Sequence, residues 1–67
     1  MHQGTIVFFL PERGYGYLRL LGTHEEFYFR TEQLTAGPVR AGDPVTFRLA
    51  YRKRTFVAEA VTPSTLA

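Results

Sequence analysis

The chain has 67 residues, 45% of them hydrophobic and 15% aromatic, with no Cys and Lys+Arg 8 against Asp+Glu 6, and its sequence pI is near 9.4. A chain this short buries only about 60% of the surface its unfolded form exposes, so it is read as one domain, residues 1–67, and a two-domain enzyme is excluded. No apolar run reaches the roughly 18 residues of a membrane span, and the start Met1-His2-Gln3-Gly4 lacks the basic-then-apolar pattern of a signal peptide. Without Cys there is no disulfide and no thiolate metal site; a soluble cytoplasmic chain is expected. Three cations adjoin at Arg52-Lys53-Arg54 and the other five are all Arg, a balance that permits a polyanionic partner without demanding one.

Gly and Pro recur at short intervals, from Gly4 and Pro11 through Gly37-Pro38 and Gly42-Asp43-Pro44 to Pro63. The apolar blocks between them are too short for ordinary helices and rich in Val, Phe, Tyr and Thr, which predicts strands. The first, Thr5–Leu10, is apolar on both faces, so one face covers or binds something, and alternation leaves open which. In the second, Tyr15–Leu21, the leucines at 18 and 20 fit a core, which turns Tyr15, Tyr17 and Arg19 the other way. The third, Glu26–Arg30, alternates Glu26, Tyr28 and Arg30 against Phe27 and Phe29; if the phenylalanines face the core, Tyr28 and Arg30 join the outer tyrosines. Between the third and fourth strands, Thr31–Arg40 has room for one helical turn at Thr31-Glu32-Gln33-Leu34. The fourth strand, Pro44–Tyr51, alternates Val45, Phe47 and Leu49 with a polar face, whereas the fifth, Thr55–Thr62, has no cleanly polar face and its phase stays open.

Five short strands in so small a chain must hide their edges, and closing the sheet does this most completely. The expected architecture is therefore all-β, a five-stranded antiparallel Greek-key barrel of the OB type.

The string Arg13-Gly14-Tyr15-Gly16-Tyr17-Leu18-Arg19-Leu20 follows the RNP1 pattern K/R-G-F/Y-G/A-F-V-x-F/Y closely over its first four positions and more loosely after them. This chemistry suits nucleic acid: bases stack on exposed rings, glycines leave flat space between the rings, and Arg13 meets a phosphate. The lesser alternative is that these glycines serve a tight turn and a crowded barrel bend, with the tyrosines as amphipathic surface residues.

With that motif, the whole chain resembles the bacterial cold-shock domain proteins, small OB barrels that bind single-stranded RNA and DNA. Gly4-Thr5-Ile6-Val7-Phe8-Phe9 is similar to the family's opening G-x-V-K-W-F, and Arg13-Gly14-Tyr15-Gly16-Tyr17-Leu18 to its K-G-F/Y-G-F-I. Glu26-Phe27-Tyr28-Phe29-Arg30 resembles its D-V-F-V-H, Gly42-Asp43-Pro44-Val45-Thr46-Phe47 its G-x-x-V-x-F, and Val57-Ala58-Glu59-Ala60-Val61 its A-x-x-V ending. One extra residue in the Leu21–Glu25 loop places Tyr28, rather than Phe27, on the family's exposed aromatic, and avoids burying an unpaired Glu26 carboxylate.

The resemblance implies a nucleic-acid-binding face of Phe8, Tyr15, Tyr17 and Tyr28, with Arg13, Arg30 and Arg54 as cations and Phe9 as a partly exposed neighbour. It also implies Ile6 inward and Phe8 outward on the first strand, and single-strand binding of low sequence specificity with RNA-chaperone behaviour. The chain departs from the pattern at Val7, where the family has a basic residue, at Leu10 for its Asn and at Thr31 for its Phe, and it lacks a loop aromatic near Pro38-Val39. Arg30 in place of the family's His can stack on a base and pair with phosphate.

Other chemistries find less support. His2 and His24 have no Cys partners and no metal-ligand spacing, no nucleophile has a neighbouring base, and Gly14-Tyr15-Gly16 lacks the further Gly and helix of a dinucleotide loop. No enzyme activity, metal or cofactor is expected, and the chain is read as a monomer. The competing function is a protein-interaction module built on the same exposed aromatics, since Tyr and Arg are enriched in such patches.

Overall fold

The apolar blocks pair as strands because each can bury alternate side chains only against another pleated surface. In the computed structural model, which describes residues 1–64, these are β1 (His2–Leu10), β2 (Tyr15–Leu20), β3 (Glu26–Arg30), β4 (Pro44–Arg52) and β5 (Thr55–Pro63), with one 3-10 turn at Thr31–Gln33. They close into a barrel in the order β1-β2-β3-β5-β4, the all-β five-stranded architecture expected. The last three positions of the 1–67 domain lie outside the described residues.

Two details differ from the expected pairing. The barrel is not wholly antiparallel: β3 meets β5 in parallel through Tyr28 and Val57, because the connection after the 3-10 turn carries the chain across the barrel before β4 and β5 form their hairpin. β1 begins at His2 rather than Thr5, since its first residues, His2–Thr5, pair with β4, while from Gly4 to Leu10 it pairs with β2. One strand thereby belongs to both halves of the barrel.

The core consists of Ile6, Leu18, Phe29, Val39, Val45, Phe47, Ala58 and Val61, flanked by half-buried Phe9, Leu20, Phe27, Leu34 and Leu49. Val39 enters from the connection rather than from a strand, which periodicity could not indicate. Among the described residues no polar or charged residue is buried. The 3-10 turn is fastened by Thr31 N–H to the Gly14 carbonyl and Thr35 N–H to the Val61 carbonyl, both at 3.0 Å, while the Ala60 N–H donates to Gln33 Oε1 at 3.2 Å.

Two bulges explain the strands whose phase alternation left open. On β1, Ile6 pairs with Leu18 and Phe8 with Tyr17, so Val7 is an extra residue. Strict alternation would put Ile6 and Phe8 on one face; the bulge turns Ile6 in and Phe8 out. On β5, Thr62 pairs with Thr46 but Glu59 with Arg48; Ala60, at φ 51, shifts the phase so that both Ala58 and Val61 point inward.

Past the β1 bulge, Phe9, Gly16 and Phe29 form one row across β1, β2 and β3, and the Phe9 and Phe29 rings stack at 6.0 Å with 21° between planes. A Cβ on Gly16 would collide with the Phe8 carbonyl oxygen and lie 2.8 Å from Phe29 Cζ. Gly16 thus serves the crowded barrel bend, and the flat space attributed to it between exposed rings is instead interior space filled by Phe29.

Phe29 is 1% exposed, so Phe29→Ala should cost about 3–5 kcal/mol of stability, seen as a lower midpoint in urea unfolding. An unchanged midpoint would place Phe29 outside the core and reverse the phase of β3.

Candidate nucleic-acid interface

With the Phe9-Gly16-Phe29 row inside, the adjacent row must face out. That row is Phe8, Tyr17 and Tyr28, in register across β1, β2 and β3. Tyr15, one step along β2 on the same face and opposite Arg30, adds a fourth ring. The four rings touch one another: Phe8 lies 5.5 Å from Tyr17 and 6.1 Å from Tyr15, and Tyr28 lies 5.6 Å from Tyr15 and 5.9 Å from Tyr17. Tyr15 and Tyr28 stack, whereas the Phe8–Tyr15 and Tyr17–Tyr28 contacts are edge-on. All four are half-buried, braced by one another yet open to one side.

Phe9 does not join this group. It belongs to the inward row and packs against the core, yet it is half-buried, the partly exposed neighbour expected, and lines surface depressions with Phe8, Pro11 and Pro38. Arg13 lies in the β1–β2 turn, where its N–H and that of Gly14 donate to the Leu10 carbonyl at 3.0 and 2.8 Å, and it is exposed next to the Tyr15 end of the cluster. Arg54 lies in the β4–β5 turn, remote in sequence from the rings.

The cations divide by pairing. Arg19 meets Glu26 at 2.9 Å across β2 and β3, Arg30 meets Glu32 at 3.6 Å, and Glu59 holds Arg52 at 3.1 Å and Arg48 at 3.6 Å. Arg13, Arg40, Lys53 and Arg54 have no carboxylate within salt-bridge distance among the described residues. The Glu32 carboxylate, followed by the Tyr28 phenol, raises the Arg30 guanidinium above its ordinary value. Glu32 in turn is held below the usual carboxylate range, first by its own backbone N–H and then by Arg30. Because the folded value is the lower one, the contribution of this exposed pair is present above the ordinary carboxylate range and lost as pH falls through the depressed value.

A cleft of about 340 Å³ opens along the β3–β5 seam, within the size range of small-ligand sites. Its lining includes Tyr28 and Arg30 of β3, Arg52, Lys53, Thr55 and Glu59 of the β4–β5 hairpin, and Gln33 of the 3-10 turn. Two features of the β4–β5 hairpin were not assigned from the sequence. Glu59 has only 14% of its side chain exposed and pairs with two cations at once, a relation created by the β4–β5 register. Tyr51 and Phe56 pair across the hairpin at 5.1 Å; their equal distance from the centre of the turn was the available signal.

Among the described residues, no three of His, Cys, Asp and Glu gather into a metal-binding group, and no helix is long and apolar enough to cross a membrane.

No family model and no curated protein matches the sequence. Among solved structures, a cold-shock domain segment of Drosophila Unr, CSD456, is similar over 94% of this chain with a TM-score of 0.77 and 22% identity. The match covers 26% of that chain's length. The barrel therefore has the cold-shock domain fold.

Glu59→Gln tests the charge arrangement. Arg48 and Arg52 are both well exposed, so breaking surface-side pairs should change stability by less than about 1 kcal/mol. Freed from Glu59, the two arginines should strengthen binding to a single-stranded oligonucleotide and steepen its salt dependence by up to roughly 0.7 in log-log slope per cation. Oligonucleotide titrations at several salt concentrations read both effects; an unchanged slope would mean that these arginines do not face the bound strand.

Proposed function

We propose that residues 1–67 act as a cold-shock-like domain that binds single-stranded nucleic acid, with low sequence preference, through Phe8, Tyr15, Tyr17 and Tyr28. The observation that carries this reading is the contiguity of four outward rings on three neighbouring strands, bordered by Arg13 and Arg30. Ring faces attract bases of any identity, while cations beside them attract the backbone. The motif resemblance to bacterial cold-shock proteins supports the same assignment residue by residue, except at Phe9, whose inward row gives it a supporting rather than a stacking role.

Stacking contributes roughly 1–3 kcal/mol per base. Three or four bases would supply about 4–8 kcal/mol before the entropic cost of docking a flexible strand, and phosphate contacts to the bordering cations add to this to reach the expected dissociation constants on the order of micromolar to tens of nanomolar. A duplex hides its base faces within its own stack. Selective binding of single strands shifts hairpins toward open forms by mass action, which is RNA-chaperone behaviour without an enzymatic step. RNA and DNA both satisfy this chemistry, and a monomer in the cytoplasm suffices for it.

The protein-docking alternative is separated by salt. With Arg13, Arg30, Lys53 and Arg54 contributing, binding of labelled oligo-U or oligo-dT should weaken with a log-log slope of about −2 to −3, and a matched duplex should bind far less. Tyr17→Ala should lose about 1–3 kcal/mol of binding with its melting temperature nearly unchanged. Absence of single-strand binding at low salt would contradict the proposal, as would a Tyr17→Ala variant that unfolds.

A further inference from the structure

Barrel closure uses only the first part of β4. β1 meets it from Pro44 to Phe47, the latter opposite His2. The following segment, Arg48–Arg52, pairs with β5 on one side in unbroken register. On its other side, among the described residues, it meets no strand and no backbone group. In an antiparallel pair alternate residues turn their N–H and C=O groups away from the partner, so this side of β4 is an open sheet edge, able to accept a further strand. Edges of this kind are normally blunted by proline, charged side chains or bulges. Arg48–Arg52 contains no proline, and its two charged side chains, Arg48 and Arg52, are both drawn toward Glu59 on β5, away from the open side.

Side chains decide what such an edge accepts. Alternation places Arg48, Ala50 and Arg52 on the face that carries Glu59, and Leu49 and Tyr51 on the other. Leu49 is half-buried and Tyr51 is 59% exposed, so the second face offers apolar surface beyond the barrel. A second copy of this chain is a poor occupant: in the symmetric antiparallel register centred on Ala50, each Arg48 would lie opposite the other copy's Arg52, and like charges so placed repel. Carboxylates at those two positions turn repulsion into attraction. Arg48 and Arg52 keep 68% and 63% of their side chains exposed, and a guanidinium has five donors, so each can meet a further carboxylate without leaving Glu59.

We propose that the Arg48–Arg52 edge docks an extended acidic segment of a partner protein, added as a strand beside β4, with carboxylates opposite Arg48 and Arg52 and apolar side chains opposite Leu49 and Tyr51. Main-chain hydrogen bonds hold such a segment, and its alternating side chains select it. The site stands apart from Phe8, Tyr15, Tyr17 and Tyr28, which lie on β1, β2 and β3, and it does not depend on what those rings bind.

A capped peptide Thr-Glu-Val-Thr-Val-Glu-Thr provides the test, since its sequence reads alike in both directions and serves either strand orientation. It is titrated into the full isotope-labelled chain and followed by NMR. Amide shifts should concentrate on Arg48–Arg52, with protection from solvent exchange gained at alternate positions. A short strand loses its own conformational freedom on docking, so the dissociation constant should be on the order of 0.1–1 mM. Replacing both glutamates of the peptide by lysine should weaken binding by about tenfold or more, because two attractive cross-strand pairs become repulsive. Methylating the peptide's backbone nitrogens keeps every side chain but removes the donors, and should abolish binding. An Arg48→Gln/Arg52→Gln chain should bind the glutamate peptide about tenfold more weakly, with the signals of Phe8, Tyr17 and Tyr28 unmoved.

No shift at Arg48–Arg52 up to about 10 mM peptide would overturn the proposal. Equal binding of the lysine peptide would remove the acidic partner, and equal binding of the methylated one would remove strand addition. Shifts of the same amides on adding oligo-dT alone would give the edge to nucleic acid instead. Concentration-dependent shifts there in the unliganded chain would give it to a second copy.

Discussion

Everything on the outer face depends on one interior contact, the Phe29 ring lying over Gly16 and against Phe9. A side chain at position 16 would strike the β1 backbone and Phe29 itself, so the three strands can come together there only around a glycine. Side chains alternate with a period of two, and a register shift of one residue exchanges the faces. Fixing Phe9, Gly16 and Phe29 inward therefore fixes Phe8, Tyr17 and Tyr28 outward. The orientation of the aromatic cluster results from core packing.

Charge adds a second level of control. The chain is basic, yet Arg19, Arg30, Arg48 and Arg52 already face carboxylates, and only part of its positive charge is available to a polyanion. Exposed pairs of this kind contribute little to stability, so their main physical effect is to decide which cations a phosphate meets first. The unpaired ones lie outside the strands: Arg13 between β1 and β2, Arg40 between β3 and β4, and Lys53 and Arg54 between β4 and β5. Rings on the sheet and charges at its ends suit a flexible strand whose bases and backbone must be met at different places.

Much of this was legible in the residues. The inward leucine of β2 at position 18, the phase of β3 with Phe29 inside and Glu26 outside, and the alternation of Val45 with Phe47 all followed from period-two patterning, and the structure places them so. What patterning could not supply was where the period breaks. The extra residue at Val7 puts Ile6 and Phe8 on opposite faces, and Ala60 carries both Ala58 and Val61 inward; neither bulge has a glycine to mark it. Val39 was unreadable because it reaches the core from a loop. Gly16 was misread because a glycine beside tyrosines is equally compatible with space outside the sheet and crowding inside it. Glu59 and the Tyr51–Phe56 pair depend on hairpin register, which becomes visible only once the turn is known to be two residues long.

The measurement that bears most directly on the link between the inward row and the outward cluster is residue-resolved NMR titration of the full chain with a short oligo-dT. Chemical-shift changes should concentrate on Phe8, Tyr15, Tyr17 and Tyr28 and on Val57 across the seam, with the side-chain signals of Phe9 and Phe29 responding only weakly from beneath. Shifts centred instead on the other end of the β1–β2 pair, around Thr5, Leu21 and Thr23, would contradict the account.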